Sequence, residues 1–291
     1  MRHVFILNPT AGSGYALKVM EELEKLFGES TREEYRVLRT EKAGHAAMLA
    51  AEAARDPETK IVFSVGGDGT ASEVAAGLAG TGVAMGIIPA GTGNDFIKSV
   101  GLPADPKEAF RFAMSHPAKE VDLGRVNERI FLNICGTGFD VTVLDYAEGL
   151  KKRFRGLMPY MLGLLKAITH YRAIRLSIRI DGQEEEGRYL ICSAANGRYF
   201  GGGIPICPAA QTGDGKLDAV LISDVPRWRI PFYLPGLMMG KALKFKITRH
   251  FLAERITISG EHLRVNVDGE ILSMDRVDFQ ILPAALRLIC P

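Results

Sequence analysis

Short apolar runs and amphipathic stretches alternate along the first part of the chain. Each short run predicts a buried strand, and these runs occupy residues 4–7, 35–38, 61–65 and 85–88. Apolar positions at helical spacing lie between them, over residues 15–27, 43–55 and around 73–76. This alternating order of strands and helices predicts a parallel sheet that is covered by helices.

The pattern changes near residue 120. Strand-like runs then follow at residues 121–126, 130–135, 174–180, 188–195, 218–223, 255–259, 263–267 and 276–282. Asp-Gly pairs, which favour tight turns between strands, occur at residues 181–182, 214–215 and 268–269. The second part of the chain is therefore predicted to form an antiparallel sandwich or a barrel-like domain.

The composition is that of a soluble globular protein. Of the 291 residues, 47% are hydrophobic, and 36 basic residues nearly balance 34 acidic ones. A net charge of +2 is too small for binding through bulk charge, so no nucleic-acid partner is expected. We find no secretory signal and no apolar stretch of about 18 residues, which predicts a cytoplasmic protein.

The cysteines are far apart in the sequence. Cys135, Cys192, Cys207 and Cys290 form no CxxC pair, and no histidine neighbours them at metal-ligand spacing. They are predicted to be buried thiols in a reducing compartment.

Two stretches combine basic, aromatic and apolar residues. Residues 151–167 join a basic head to an apolar body, and residues 227–246 mix arginines and lysines with Trp228, Phe232 and methionines. Such a composition is typical of a segment that lies on an anionic membrane surface. It is equally consistent with a core-facing helix that has a charged outer face.

Glycine-rich loops follow three of the predicted parallel strands. They are Asn8–Gly14, Gly66–Thr70 and Pro89–Phe96, and the carboxyl ends of parallel strands meet at one edge of the sheet. Glycines let the backbone approach a ligand, and a helix N-terminus favours an anion such as phosphate. Asp68 beside such a ligand implies a metal ion or a transferred proton. The loops match neither the Walker A motif nor the dinucleotide-binding pattern.

These loops and several later motifs resemble the diacylglycerol kinase catalytic-domain family, whose members are soluble bacterial lipid kinases related to sphingosine and ceramide kinases. The matching segments run in order along nearly the whole chain: Asn8–Gly12, Gly66–Thr70 with Glu73, Pro89–Phe96, Asn133–Asp140, Asn196–Gly203, Asp214-Gly215 and Asp268-Gly269-Glu270. The resemblance implies an α/β plus all-β fold. An N-terminal Rossmann-like ATP-binding domain with a parallel sheet, residues 1–120 plus 283–291, would join a C-terminal antiparallel β-sandwich lipid-substrate domain, residues 121–282.

The resemblance also implies roles for individual residues. ATP would be bound by Asn8, Pro9, Thr10, Ala11, Gly12, Thr40, Gly66, Gly67, Asp68, Gly69, Thr70, Glu73, Thr92 and Asn94, with Asp68 helping to hold the catalytic Mg²⁺. Glu270 matches the general base that takes the proton of the lipid hydroxyl, and Asp268 lies beside it. From their residues alone, Asp268-Gly269-Glu270 form only a hairpin turn.

A second Mg²⁺ is implied in the turn around Asp214. Asp214 would hold this structural ion, assisted by groups at Gln211 and Lys216, and Asp218 is a secondary candidate there.

The leading hypothesis is an ATP- and Mg²⁺-dependent kinase that phosphorylates diacylglycerol or a similar membrane lipid while bound peripherally to the inner face of the membrane. One alternative is a kinase for a soluble acceptor such as NAD, because NAD kinases share Gly-Gly-Asp-Gly-Thr. The other is a non-catalytic nucleotide-binding regulator. A homodimer is expected from the resemblance alone.

Overall fold

The computed structural model describes residues 2–30, 34–151, 154 and 158–291. Its strands are β1 (Arg2–Leu7), β2 (Glu34–Arg39), β3 (Thr59–Gly66), β4 (Ala84–Pro89), β5 (Ala118–Val126), β6 (Arg129–Phe131), β7 (Ile134–Gly138), β8 (Ile174–Ile180), β9 (Gln183–Ala195), β10 (Leu217–Ser223), β11 (Thr248–Ala253), β12 (Arg255–Val267) and β13 (Glu270–Ile289). Its α-helices are α1 (Tyr15–Ser30), α2 (His45–Arg55), α3 (Asp68–Leu78), α4 (Asp95–Val100), α5 (Pro106–Ser115), α6 (Phe139–Lys151), α7 (Met158–His170) and α8 (Ile230–Met238).

The first four strands form a parallel sheet in the order β2-β1-β3-β4. Apolar side chains on both faces of these strands are buried under helices. Phe5 and Phe63 stack with ring centroids 4.7 Å apart on one face, against Phe110 of α5, while Ile6 and Val62 pack under α2 and α3 on the other. Burial on both faces explains why these strands are continuous apolar runs rather than alternating ones. The predicted strands and their parallel pairing are confirmed.

The later strands pair mainly antiparallel, in the order β11-β10-β9-β7-β12-β13, and β8 bridges β12 and β9. Two of the three Asp-Gly pairs form hairpin turns, between β8 and β9 and between β12 and β13. Both residues of each pair have positive φ, 46° at Asp268 and 98° at Gly269 for example, as this turn requires. Asp214-Gly215 instead lies in the long connection between β9 and β10, so it is not a hairpin.

Strand β13 connects the two parts of the molecule. It pairs antiparallel with β12 and β5, and near its end Arg287 and Leu288 pair in parallel with β4. Thirteen strands of the described residues therefore belong to one continuous sheet. The division into residues 1–120 plus 283–291 and residues 121–282 stays a prediction.

Several elements differ from the sequence-based expectation. The runs at 255–259 and 263–267 are one strand, β12, with an irregular register between them, whereas residues 130–135 are divided between β6 and β7. Helix α6 was not predicted, because the β-branched residues at its start favour a strand. Tertiary packing overrides that preference: α7 approaches α6 so closely that a Cβ on Gly163 would lie 2.7 Å from the carbonyl oxygen of Val143.

The two basic-apolar stretches are partly helical. Residues 158–170 form α7, and residues 227–246 contain a short 3-10 turn, α8 and a second 3-10 turn. The basic residues predicted at the head of the first stretch, Lys152, Arg153 and Arg155, lie outside the described residues. None of the helices in the described ranges has the length and apolar character needed to cross a bilayer. All four cysteines are buried and free, as predicted.

Candidate active site

The three glycine-rich loops lie together at the carboxyl end of the parallel strands. The side-chain amide of Asn8, after β1, donates to the Thr70 hydroxyl in α3 at 3.1 Å. The backbone N–H of Ala90, after β4, donates to the carbonyl oxygen of Gly66 at 2.7 Å. Thr40 is held beside Asn8, because its N–H donates to the Leu7 carbonyl oxygen at 2.9 Å. The predicted nucleotide-binding residues thus occupy one edge of the sheet.

Glycine is required where these loops touch. A Cβ on Gly91 would lie 2.3 Å from the Cα of Gly67, and a Cβ on Gly12 would lie 2.5 Å from the carbonyl oxygen of Ala90. Gly12 also has a φ of 58°, which side chains rarely adopt. Backbone atoms of two loops therefore meet without intervening side chains, and their N–H groups remain close to whatever binds there.

Asp68 begins α3 at the centre of this edge. Its Oδ1 accepts a hydrogen bond from the backbone N–H of Phe96 at 3.0 Å, and a Cβ on Gly93 would lie 2.9 Å from its Oδ2. Burial raises the pKa of Asp68, and the nearby carboxylates of Asp95 and Asp268 raise it further. Negative charge is therefore concentrated where a cation would be stabilised.

Asp95 also belongs to this acidic group, although its sequence context predicts no separate role for it. It is buried, its Oδ1 pairs with Lys98 Nζ at 2.9 Å, and its Oδ2 accepts from the backbone N–H of Gly202 at 2.8 Å. It therefore ties the loop after β4 to the Asn196–Gly203 motif of the second part of the chain. Its position inside the Pro89–Phe96 motif could have marked it as a candidate site residue.

The Glu73 carboxylate is hydrogen-bonded to the start of α2. Its two carboxylate oxygens accept from the backbone N–H groups of Gly44 and Ala46, at 2.9 and 3.0 Å. Those N–H groups have no partner within the helix, so Glu73 caps it and offsets the positive end of its dipole. Glu73 of α3 thereby links α3 to the start of α2, and its predicted contact with ATP stays a prediction.

The Asp268 carboxylate is saturated with hydrogen-bond donors. The backbone N–H groups of Leu132, Asn133 and Ile134 donate to it at 2.8 to 3.2 Å, and the Ser72 hydroxyl donates to Oδ2 at 2.5 Å. The Ser72 contact joins α3 to the β12–β13 turn. Burial raises the pKa of Asp268, although each of these donors acts in the opposite direction. Asp268 therefore fixes the turn in place.

Glu270 follows in the same turn and is exposed. Its side chain is 63% accessible, and its Oε2 accepts from Arg129 Nη1 of β6 at 2.9 Å. Nothing in the sequence around Arg129 marked it as a partner of this carboxylate. The turn thus offers one saturated carboxylate next to one that solvent and a bound molecule can reach.

The predicted structural-metal turn is built around two carboxylates. Asp214 Oδ1 accepts from the Lys216 N–H at 3.0 Å, and burial together with Asp218 and Asp122 raises the pKa of Asp214. Asp122 binds the turn from the other side, since its Oδ2 accepts from the Gly215 N–H at 2.7 Å. The Lys216 ammonium points away to Glu254 at 2.6 Å, which leaves only its backbone near the turn.

A cleft of about 1130 Å³ lies elsewhere, among Asp145, His262, Arg264 and neighbouring residues of the antiparallel part. None of the predicted site residues lines it. The cleft is therefore separate from the edge of the sheet where the three loops meet.

Comparison with known proteins finds a family match for each of the two parts of the chain. Residues 2–126 match the diacylglycerol kinase catalytic domain, and residues 133–290 match the YegS C-terminal NAD kinase beta sandwich-like domain. A crystal structure of a diacylglycerol kinase from Bacillus anthracis covers 100% of this chain and 97% of its own, with a TM-score of 0.73 at 25% identity.

Curated relatives agree with that assignment. A diacylglycerol kinase of Mycobacterium tuberculosis is 29% identical over 98% of this chain and 94% of its own length. A Pseudomonas putida protein named "Probable lipid kinase YegS-like" is 34% identical over 87% of this chain and 84% of its own. The chain therefore belongs to the diacylglycerol kinase catalytic-domain family, and it is a lipid kinase. Its C-terminal part is the family's β-sandwich domain.

Proposed function

We propose that the protein transfers the γ-phosphate of ATP to the hydroxyl of diacylglycerol or a similar membrane lipid, with Mg²⁺. This proposal rests on the convergence of the three glycine-rich loops on Asp68 of α3, the helix to which the Asp268-Gly269-Glu270 turn is hydrogen-bonded through Ser72. The parallel sheet would serve as a Rossmann-like nucleotide-binding unit, with the loop N–H groups at the start of α3 and α4 facing the phosphates.

The acidic group fits a magnesium ion. Asp68, Asp95 and Asp268 bring three carboxylates near one another, and the missing side chain of Gly93 leaves the Oδ2 of Asp68 uncovered. Carboxylate oxygens and phosphate oxygens are the ligands that Mg²⁺ prefers. We assign Asp68 as the residue that would hold it. When bound, Mg²⁺ neutralises charge that develops on the phosphoryl group.

Glu270 would act as the general base. The oxygen of the lipid hydroxyl forms a bond to the γ-phosphorus, the bond between that phosphorus and the bridging oxygen of ADP breaks, and the hydroxyl proton passes to the Glu270 carboxylate. Asp268 has its oxygens occupied, so we assign it to positioning the turn. Arg129 would hold the Glu270 side chain until the acceptor hydroxyl arrives.

The Asp214 turn would hold the second Mg²⁺. The Lys216 ammonium points away from the turn, and while protonated it cannot coordinate a cation. Both facts favour backbone carbonyl groups at Gln211 and Lys216 as the other ligands.

The test is phosphate transfer from labelled ATP. Purified protein would be incubated with Mg²⁺ and mixed micelles that contain diacylglycerol, another lipid alcohol or no acceptor, with NAD in a parallel reaction. We expect label in a lipid, and a loss of about 10² to 10⁴-fold in the Glu270→Gln variant. Glu261→Gln, on the same strand pair but outside the turn, is the matched control.

Other outcomes separate the alternatives. Label in NAD alone would identify a kinase for a soluble acceptor. ATP binding without transfer to any acceptor would favour a nucleotide-binding regulator. Transfer that survives Glu270→Gln would remove Glu270 from the role of base.

We further propose that α7 and α8 dock the enzyme on the membrane. The apolar surface of α7, α8 and the residues that flank α8 includes large exposed side chains, namely Met161, Leu165, Trp228, Phe232, Met238 and Met239. The two segments meet where Arg227 Nη1 donates to the Thr169 carbonyl oxygen at 3.1 Å. Arg229 stacks over the Trp228 ring at 4.9 Å, and three lysines follow α8. Exposed aromatic side chains beside positive charge suit an anionic bilayer.

Flotation with vesicles tests the docking proposal. The protein should float with vesicles that contain anionic lipid and float less with neutral vesicles or at high salt, because the lysines and arginines supply part of the attraction. Equal recovery with both lipid compositions would contradict the electrostatic contribution.

A further inference from the structure

The β-sandwich part contains a second cluster of metal-ligating side chains, away from the loops described above. Cys207, Asp218 and His250 each bring one ligand atom within 4.8 Å of the others. They come from three different segments: the connection between β9 and β10, the second residue of β10, and β11. Because they are far apart in the sequence, no motif spacing marks them.

Hydrogen bonding and burial define the cluster. His250 Nε2 and Asp218 Oδ1 are 2.5 Å apart, and the Asp218 side chain is only 1% accessible. The register of β10 and β11 explains this contact, because His250 lies opposite Val220, the residue two positions beyond Asp218 on the same face of the strand. The Cys207 sulfur is fully buried and faces the same carboxylate.

One atom of the cluster has no partner. Among the described residues, the Oδ2 of Asp218 is buried and receives no hydrogen bond. A buried carboxylate oxygen without a donor is costly, and an ion or ordered water normally satisfies it. A buried thiol, a buried carboxylate with one unpaired oxygen and an imidazole thus lie within 4.8 Å of one another.

We propose that Cys207, Asp218 and His250 bind a zinc ion or a similar borderline divalent metal. Sulfur, imidazole nitrogen and carboxylate oxygen are zinc ligands, whereas Mg²⁺ and Ca²⁺ select oxygen and do not favour a thiolate. Ligands at about 2.0–2.3 Å from one ion lie roughly 3.5 Å apart, so the His250–Asp218 contact must open by about 1 Å to admit the ion, and any wider separation within the cluster must close by a similar amount. On binding, the thiol proton passes to solvent and the proton between His250 Nε2 and Asp218 Oδ1 leaves that contact, so that the imidazole binds through Nε2 and carries its proton on Nδ1.

The proposed ion differs from the Mg²⁺ predicted at Asp214. Asp218 is also a secondary candidate for that ion, and its Oδ1 contacts His250 of β11. The His250 side chain is 28% accessible, which leaves a route for the metal and an outer position for water. Three protein ligands and one water complete a tetrahedral site.

The site would fix the segment that reaches the active edge. Cys207 lies in the same connection as Gly202, whose N–H binds Asp95, and Arg198, whose N–H binds the Ser99 hydroxyl at 2.8 Å. A metal at Cys207 would anchor the far end of this segment to β10 and β11. Its role is therefore structural, and its occupancy does not require that the kinase reaction proceed as proposed.

The test is cobalt titration of the reduced, chelator-treated protein in millimolar Mg²⁺, which saturates oxygen-ligand sites. We expect one equivalent of Co²⁺ to give a thiolate-to-cobalt charge-transfer band, and one equivalent of Zn²⁺ to remove it. Cys207→Ser should abolish the band, and His250→Gln should weaken Zn²⁺ binding by roughly 100-fold or more. Cys290→Ser and His170→Gln, a buried cysteine and an exposed histidine outside the cluster, should behave like the unaltered chain.

Two results would overturn the proposal. One is the absence of the band in the unaltered protein, and the other is a band that persists in Cys207→Ser. Circular dichroism establishes that each variant is folded. Anomalous diffraction from zinc-soaked crystals provides a check that needs no variant, because the ion must lie between the Cys207 sulfur and the His250 imidazole.

Discussion

The loop edge of the parallel sheet and the apolar surface of α7 and α8 serve one proposed reaction but differ in construction. At the loop edge, glycine backbones meet at distances that exclude even a methyl group, and carboxylates are buried beside one another. On the apolar surface, large side chains stand in solvent; Phe232, for example, is 76% accessible. The loop edge is defined by backbone contacts that leave no room for a side chain, and the apolar surface by large side chains that extend into solvent.

The difference follows from the two tasks. Phosphoryl transfer depends on positioning and charge neutralisation, so its groups must be held rigidly. To reach a substrate that resides in a bilayer, the enzyme must already expose an apolar surface before it binds the membrane. Substitutions at the loop edge should therefore change folding and chemistry together, whereas those on the surface should change only membrane binding.

Gly91→Ala should have the largest effect. Its new Cβ would lie 2.3 Å from Gly67 Cα, so the two loops must separate. We expect a loss of about 3 kcal/mol in the free energy of unfolding and a loss of ATP binding. Gly149→Ala in α6, where an added Cβ would meet nothing within 4 Å apart from its own helix backbone, is the matched control and should be neutral or slightly stabilising.

Urea unfolding and calorimetric titration with ATP would measure both quantities. If Gly91→Ala unfolded and bound ATP like the unaltered protein, the loops would not be packed as closely as described, and the contrast between the two regions would fail.

Ser72→Ala should have an intermediate effect. It removes the hydroxyl that donates to Asp268 Oδ2 and leaves three backbone donors in place. The expected cost is about 1.5 to 3 kcal/mol, because the acceptor is charged and buried. Ser115→Ala, at the exposed end of α5, should cost less than about 0.5 kcal/mol.

The pH dependence of the Ser72→Ala effect has a definite sign. The pKa of Asp268 is already above its ordinary value of 3.8, and losing a donor raises it further. Ionisation of the buried carboxyl therefore opposes folding at neutral pH and ceases to do so once the carboxyl is protonated. The difference in stability between the variant and the unaltered protein should shrink as the pH falls through the raised pKa towards 3.8.

The sequence supports prediction of the loop edge better than of the sandwich. Strands β1, β3 and β4 are continuous apolar runs, and each is followed by glycines that local geometry requires, as at Gly12 and Gly91. In the sandwich, α6 carries β-branched residues that favour a strand, and its packing against α7 and the sheet overrides that preference. The local sequence pattern cannot predict the conformation of a segment when packing against a distant part of the chain determines it.

The same limit applies to the sites. Asp68 and Glu270 lie in motifs, so the sequence identifies them as candidate site residues. It does not predict that hydrogen-bond donors occupy the Asp268 carboxylate or that Glu270 pairs with Arg129. Cys207, Asp218 and His250 are distant in the chain, and the sequence predicted ordinary buried thiols. Only the register of β10 and β11, together with the fold of the β9–β10 connection, brings the three side chains together.

Phe232→Ser should have the smallest effect on folding and a measurable effect on membrane binding. Because the ring is exposed in the free protein, its removal should change the free energy of unfolding by less than about 0.5 kcal/mol. Burial of an aromatic ring in the bilayer interface is worth about 1.5 kcal/mol or more, so affinity for anionic vesicles should fall roughly 10-fold. Met48→Ser on α2, where Met48 is 66% accessible, should leave vesicle binding unchanged. Equal losses in both variants would mean that exposed apolar area acts wherever it lies, and that α7 and α8 form no specific docking surface.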